Sequence, residues 1–126
     1  MERDAMIVAG FGFRAGADIA ALRDALTQAQ SGCPPITAMA TPADKATLAT
    51  DLAALLNLPL IAVSATALQT MSTHTRSRAS LDARGTGSVA EACALAAAGL
   101  GARLLTPRHI SRDRMATCAI AQGSLA

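Results

Sequence analysis

Apolar positions along this chain follow two rhythms. Met6 to Phe13, Ile36 to Ala40, Leu60 to Val63, Ala102 to Thr106 and Met115 to Ala121 are short, nearly continuous apolar runs. Runs of that length read as buried strands. Between them the spacing changes. Ile19, Leu22, Leu26 and Ala29 recur every three or four residues, which predicts a helix over Ala17–Gln30, stopped by Gly32 and Pro34-Pro35. Thr41-Pro42-Ala43-Asp44 opens a second helix, with threonine as cap and proline at the first position. Leu48, Leu52, Leu55 and Leu56 are its expected buried face, and Asn57 and Pro59 end it. A short helix over Thr66–Met71 and a polar loop over Ser72–Arg84 follow. Ser88–Ala98 is the last predicted helix, and Gly99 and Gly101 let the chain leave it. The basic segment Pro107–Arg114 then joins the last two strands without a helix. Alternating strands and helices predict an α/β fold. The expected form is a single three-layer domain over residues 1–126, with a small, mostly parallel sheet and an antiparallel edge.

Composition narrows the function. A chain of 126 residues is long enough for one domain with a real core, and no repeat or linker divides it. Hydrophobic residues make up 52% and charged residues 16%, against a usual charged share of ~25%. Nearly half of the apolar share is alanine, so the elements must approach one another closely. Phe11 and Phe13 are the only aromatics, too few for a base-stacking surface. With a net charge of +2, no nucleic-acid partner is expected. No apolar run approaches the ~18 residues of a membrane span, so no membrane association is expected. Met1-Glu2-Arg3-Asp4 and the broken apolar run after it do not make a signal peptide. Cys33, Cys93 and Cys118 are odd in number with no C-x-x-C spacing, which points to a reducing cytoplasm rather than a disulfide framework. His74 and His109 have no Asp or Cys at a ligand spacing, so neither a metal site nor a cofactor is expected.

The chemistry gathers where an α/β sheet usually binds ligands, at the carboxyl ends of its strands. Gly85-Thr86-Gly87-Ser88 leads into the last helix. Glycines there admit a ligand to the main chain, and a helix N-terminus favours anions. Ser88 and Glu91 have capping-box spacing, so Glu91 reads either as a cap or as a catalytic base. Gly10-Phe11-Gly12-Phe13-Arg14 follows the first strand and places a fixed cation at its mouth. It is not the dinucleotide fingerprint, because Gly16 comes one residue too late and no acidic residue ends the second strand. Lys45 in the first turn of the second helix opposes the helix dipole, so it is either solvated or holds an anion. Arg108-His109-Ile110-Ser111-Arg112 reads as a charged loop on the ligand side. No Ser-His-Asp or Cys-His arrangement stands out.

Taken together, these stretches carry a resemblance. Val8 through Gly10-Phe11-Gly12-Phe13 to Arg14, Lys45 in an alanine- and leucine-rich helix, Gly85 through Glu91 to Leu95, and Thr117 to Ala121 occur in this order. The chain resembles the family of the cobalamin-biosynthesis protein CobE and the C-terminal domain of CbiG, the cobalt-precorrin-5A hydrolase. The resemblance spans nearly the whole chain. It implies a cytoplasmic role in building the corrin ring. In CbiG the family reaction opens the ring-A δ-lactone and releases acetaldehyde. CbiG has a further N-terminal region that this chain is too short to contain, and its length matches CobE. The implied ligand is a corrin intermediate of the precorrin or hydrogenobyrinate type, with an apolar face and many carboxylates. The expected substrate-binding set is Gly10, Phe11, Gly12, Phe13, Arg14, Lys45, Gly85, Thr86, Gly87, Ser88 and Arg108. The cations and the N–H groups ahead of Ser88 receive carboxylates, Phe11 or Phe13 lies against the ring, and the loop with Arg76, Arg78 and Arg84 closes over it. Methyltransferases of the pathway are the implied protein partners. Two alternatives stay open: a lactone hydrolase with Glu91 as base and Arg14 or Lys45 polarising a carbonyl, and a nucleotide-phosphate binder using Gly85 to Ser88.

Overall fold

Strand β1 (Ile7–Phe13) runs through the middle of the molecule and is buried almost along its whole length. The computed structural model describes residues 6–64, 66–67, 89–99 and 101–123. The other elements are α1 (Ile19–Gln30), β2 (Ala38–Pro42), α2 (Ala46–Leu56), β3 (Leu60–Val63), α3 (Val89–Ala98), β4 (Arg103–Ile110) and β5 (Ala116–Gln122). Among the described residues the sheet has five strands in the order β3-β2-β1-β5-β4. β1, β2 and β3 pair in parallel, whereas β5 is antiparallel to both β1 and β4. The sheet is thus mostly parallel with an antiparallel side, as the strand order along the chain predicts. The antiparallel strand β5 sits between β1 and β4, and β4 is the edge strand on that side, with β3 at the opposite edge.

Side chains alternate across a strand, so β1 serves both faces. Ile7, Ala9 and Phe11 join Leu22, Leu26, Met39, Leu52 and Ile120 under α1 and α2. Val8 joins Ala38, Ala40, Val63, Ala92 and Cys93 under α3. The result is three layers, helices on both faces of one sheet. A Cβ on Gly12 would meet Val89, and one on Gly123 would meet the Ala98 carbonyl, at the end of the sheet where Gly123 N–H bonds Met6. α3 therefore runs antiparallel to β1, with its N-terminus at the carboxyl end of that strand.

Several local expectations are corrected. α1 begins after Asp18, whose carboxylate accepts the Ala21 N–H at 2.9 Å. Thr41 does not cap α2; it and Pro42 complete β2, and a short 3-10 turn (Ala43–Lys45) intervenes. Proline ends this strand without loss because it needs no ladder N–H there. Leu55 is 65% exposed, while Ala49, Leu52 and Ala53 are buried. Leu48 and Leu56 pack against the same core as Leu52, so of the four expected leucines only Leu55 leaves the buried stripe, and Ala49 and Ala53 complete it. Asn57 ends α2 in the left-handed conformation, as expected (φ 56°). β4 runs through Pro107 to Ile110, so Arg108 lies in a strand and not in a loop after one. An outermost strand tolerates proline at an irregular position. The helix expected over Thr66–Met71 and the loop over Ser72–Arg84 fall, except for residues 66–67, outside the described residues.

Candidate functional site

Three elements meet at the carboxyl end of the sheet: the end of β1, the turn from β2 into α2, and the first turn of α3 against β4. Lys45 stands at the N-cap position of α2 and makes no cap bond. Its ammonium donates to the Phe13 carbonyl at 2.7 Å and lies 5.4 Å from the centre of the Phe13 ring. The carbonyl that ends β1 and the face of the ring both favour a cation. This explains a lysine at a helix start, where the dipole alone disfavours it. Arg14 follows directly; its N–H bonds Met115, which ties β1 to the start of β5, and its side chain is exposed. The guanidinium groups of Arg14 and Arg108 have no hydrogen-bond or ion-pair partner among the described residues.

The glycine–phenylalanine repeat divides by face. A Cβ on Gly10 would run into the Ala90 carbonyl, the Ala94 N–H and the Ala94 side chain, so glycine here lets α3 lie directly on β1. Phe11 is fully buried beneath α1 and α2, which leaves no ring surface for a ligand. Phe13 is half-buried and is the aromatic at the edge of the sheet, with Lys45 over its ring. Gly12 sits between Val89 and Thr117, whose hydroxyl bonds the Gly12 carbonyl at 3.3 Å. The structure thus gathers Gly12, Phe13, Arg14 and Lys45 at one edge and gives Gly10 and Phe11 packing roles.

Glu91, in the first turn of α3, is fully buried. Its Oε2 accepts the main-chain N–H of Arg108 at 3.0 Å, a bond from the helix layer to β4. Arg108 lies where the β4–β5 register shifts, between Thr106 and His109. The Thr106 hydroxyl and His109 Nε2 are 2.9 Å apart across the same irregularity. Gly85, Thr86, Gly87 and Ser88, with the arginine-bearing loop before them, lie outside the described residues.

Thr41 is a residue of this edge that sequence reasoning assigned to another role. It is fully buried, and its hydroxyl has no hydrogen-bond partner among the described residues. Two further titratable groups, Cys118 and Asp113, have structural surroundings. Burial pushes the Cys118 thiol well up, so it is inert as a nucleophile. Hydrogen bonds from Ser111 and from the Met115 N–H hold Asp113 below its ordinary value in the turn between β4 and β5. Among the described residues no three His, Cys, Asp or Glu side chains gather to hold a metal, and no helix is long and apolar enough to cross a membrane.

Comparison with known proteins places this architecture. The chain is 29% identical to CobE, a protein from the cobalamin (vitamin B12) biosynthetic pathway, over 97% of this chain and 94% of that one, with a TM-score of 0.85. It is 37% identical to the cobalamin biosynthesis protein chiG from Agrobacterium tumefaciens str. C58, over 95% of this chain and all (100%) of that one, with a TM-score of 0.73. A putative cobalamin biosynthesis protein G homolog from Sulfolobus solfataricus shares the fold at 17% identity and a TM-score of 0.71; 95% of this chain aligns with 37% of that longer one. No curated protein matches the chain. The family model described as cobalamin synthesis G C-terminus matches residues 7–121, and with these relatives it shows that the chain belongs to that cobalamin-biosynthesis family.

Proposed function

We propose that this protein binds a corrin-ring intermediate of the precorrin or hydrogenobyrinate type at the carboxyl end of its sheet, and that it does so in the cytoplasm. The observation that carries the reading is Lys45. Its ammonium is held against the last carbonyl of β1 and over the Phe13 ring, next to Arg14, with no carboxylate among the described residues paired with it. Such a cation is fixed before the ligand arrives, so little side-chain freedom is lost on binding. A macrocycle with an apolar face and several carboxylates suits Lys45, Arg14, Arg108 and the exposed part of Phe13. Membership of a cobalamin-biosynthesis family supplies the class of macrocycle. Glu91 gives the hydrolase alternative little support, since it is buried and bonded to a main-chain N–H rather than open to a substrate. Pathway methyltransferases are the proposed protein partners for handing the intermediate on.

Titration of the purified protein with corrin intermediates tests this. The expected result is a saturable spectral shift with no new product. Arg14→Ala and Lys45→Ala should each weaken it, and so should added salt, because exposed charge pairs are screened. Release of acetaldehyde or a change in ligand mass would instead make the protein a lactone hydrolase. A response to nucleotides alone would make it a phosphate binder.

A further inference from the structure

We infer that Glu91 is a positioning residue for Arg108, acting through the main chain of β4. The inference rests on the reading of Arg108 as a carboxylate-receiving group. β4 is an edge strand, and its pairing with β5 lapses between Thr106 and His109 before resuming at His109↔Cys118 and Ile110↔Thr117. Within the lapse, Pro107 has no N–H to donate. The next N–H, that of Arg108, is donated to Glu91 on another layer of the protein, 17 residues away in sequence.

Irregularities of this kind re-aim a side chain, and their position decides where it points. On an outermost strand little else pins the position: an unheld Arg108 N–H can turn to water and the irregularity can slide by a residue. A slip of one residue sends every side chain to the other face. Glu91 is well suited to prevent it. Its carboxylate is fully buried, and α3 carrying it is fixed by main-chain contact with β1 at Gly10. A buried carboxylate needs donors, and a main-chain N–H at 3.0 Å is a strong one. The Thr106–His109 side-chain contact spans the same gap from the strand itself. Carboxylate and gap together set the place of the Arg108 guanidinium, which has no partner among the described residues.

The test uses the whole protein, amide hydrogen exchange, and uroporphyrin III as a carboxylate-rich tetrapyrrole probe. In the wild type the Arg108 amide should be protected. Glu91→Met keeps the volume but removes the oxygen acceptor, and it should speed exchange at Arg108 by about tenfold or more, the worth of one charge-assisted hydrogen bond. It should also weaken probe binding by roughly fivefold, a part of that bond's worth. Glu91→Gln retains an oxygen acceptor and should stay near wild type in both measurements. Arg108→Ala should weaken binding, and adding Glu91→Met to it should weaken binding no further. Full additivity of the two changes, or wild-type affinity in a folded Glu91→Met protein, overturns the positioning role. Should Glu91→Met fail to fold, the wild-type amide still decides: rapid exchange at Arg108 sinks the proposal. Unchanged binding by Arg108→Ala is a different failure, since it removes Arg108 from the binding site while leaving the exchange result intact.

Discussion

On the α1–α2 face of the sheet the core is made of large side chains, Phe11, Leu22, Met39, Leu52 and Ile120, all fully buried. On the α3 face, Val8, Ala38, Ala40, Ala92 and Cys93 surround a place where helix and strand meet main chain to main chain at Gly10. The first face is filled by volume and the second by proximity. A volume-filled core can relax around a lost methyl group, whereas a main-chain contact has no rotamer to change. The difference bears on function because α3 brings Glu91 to β4 and sets its own N-terminus at the carboxyl end of β1. The tight face thus fixes the Glu91–Arg108 part of the candidate site, whereas Lys45 and Phe13 are held from the α1–α2 side.

The sharpest way to break this comparison is to add a side-chain carbon on the tight face and remove side-chain volume from the other. Gly10→Ala adds a Cβ where the obstructing atoms are the main chain of α3, and should cost at least about 3 kcal/mol, the upper end for overpacking. Leu52→Ala removes a buried side chain from the other face and should cost about 2.5 kcal/mol, near the lower end for such truncations. Urea unfolding of both proteins gives the order, and a cheaper Gly10→Ala would show that α3 can lift off the sheet. Lys45→Met is next: it loses the bond to the Phe13 carbonyl and should lower stability by about 1 kcal/mol in the same assay.

Smaller effects sharpen the picture further. Thr41→Val replaces a buried hydroxyl without a partner by a methyl group of similar shape. It should leave stability unchanged or raise it by up to about 1 kcal/mol, measured by thermal unfolding. A loss instead would mean the hydroxyl is satisfied in solution. The smallest effect concerns pH. Asp113 has a lowered folded-state pKa, so its stabilisation is present above the ordinary carboxylate range and is lost as pH falls through the lowered value. Comparing melting temperatures of wild type and Asp113→Asn across that range should show the two converging in acid. A gap that widens there would reverse the sign.

Strand and helix order, the core leucines of α1 and the Asn57 stop were legible from local pattern, because each depends on neighbours within a few residues. Thr41 was not, because threonine followed by proline looks the same opening a helix or ending a strand. Leu55 was not, because alanine hides which stripe of α2 is buried. Arg108 was not, because proline ends a strand on propensity alone, and only the place of β4 at the outside of the sheet makes Pro107 acceptable.

The residues by themselves determined the class of fold, the family resemblance and the presence of Gly10, Arg14, Lys45, Glu91 and Arg108 as the positions of interest. Repeating apolar spacing and residue type are local properties, and they are written in the chain. Only the tertiary structure decided what those positions touch. It set Lys45 against the Phe13 carbonyl, buried Phe11 away from any ligand, gave Gly10 to the seam under α3, and joined Glu91 to Arg108. Each of these contacts joins elements distant along the chain, and such distances close only when sheet order and helix placement are fixed together.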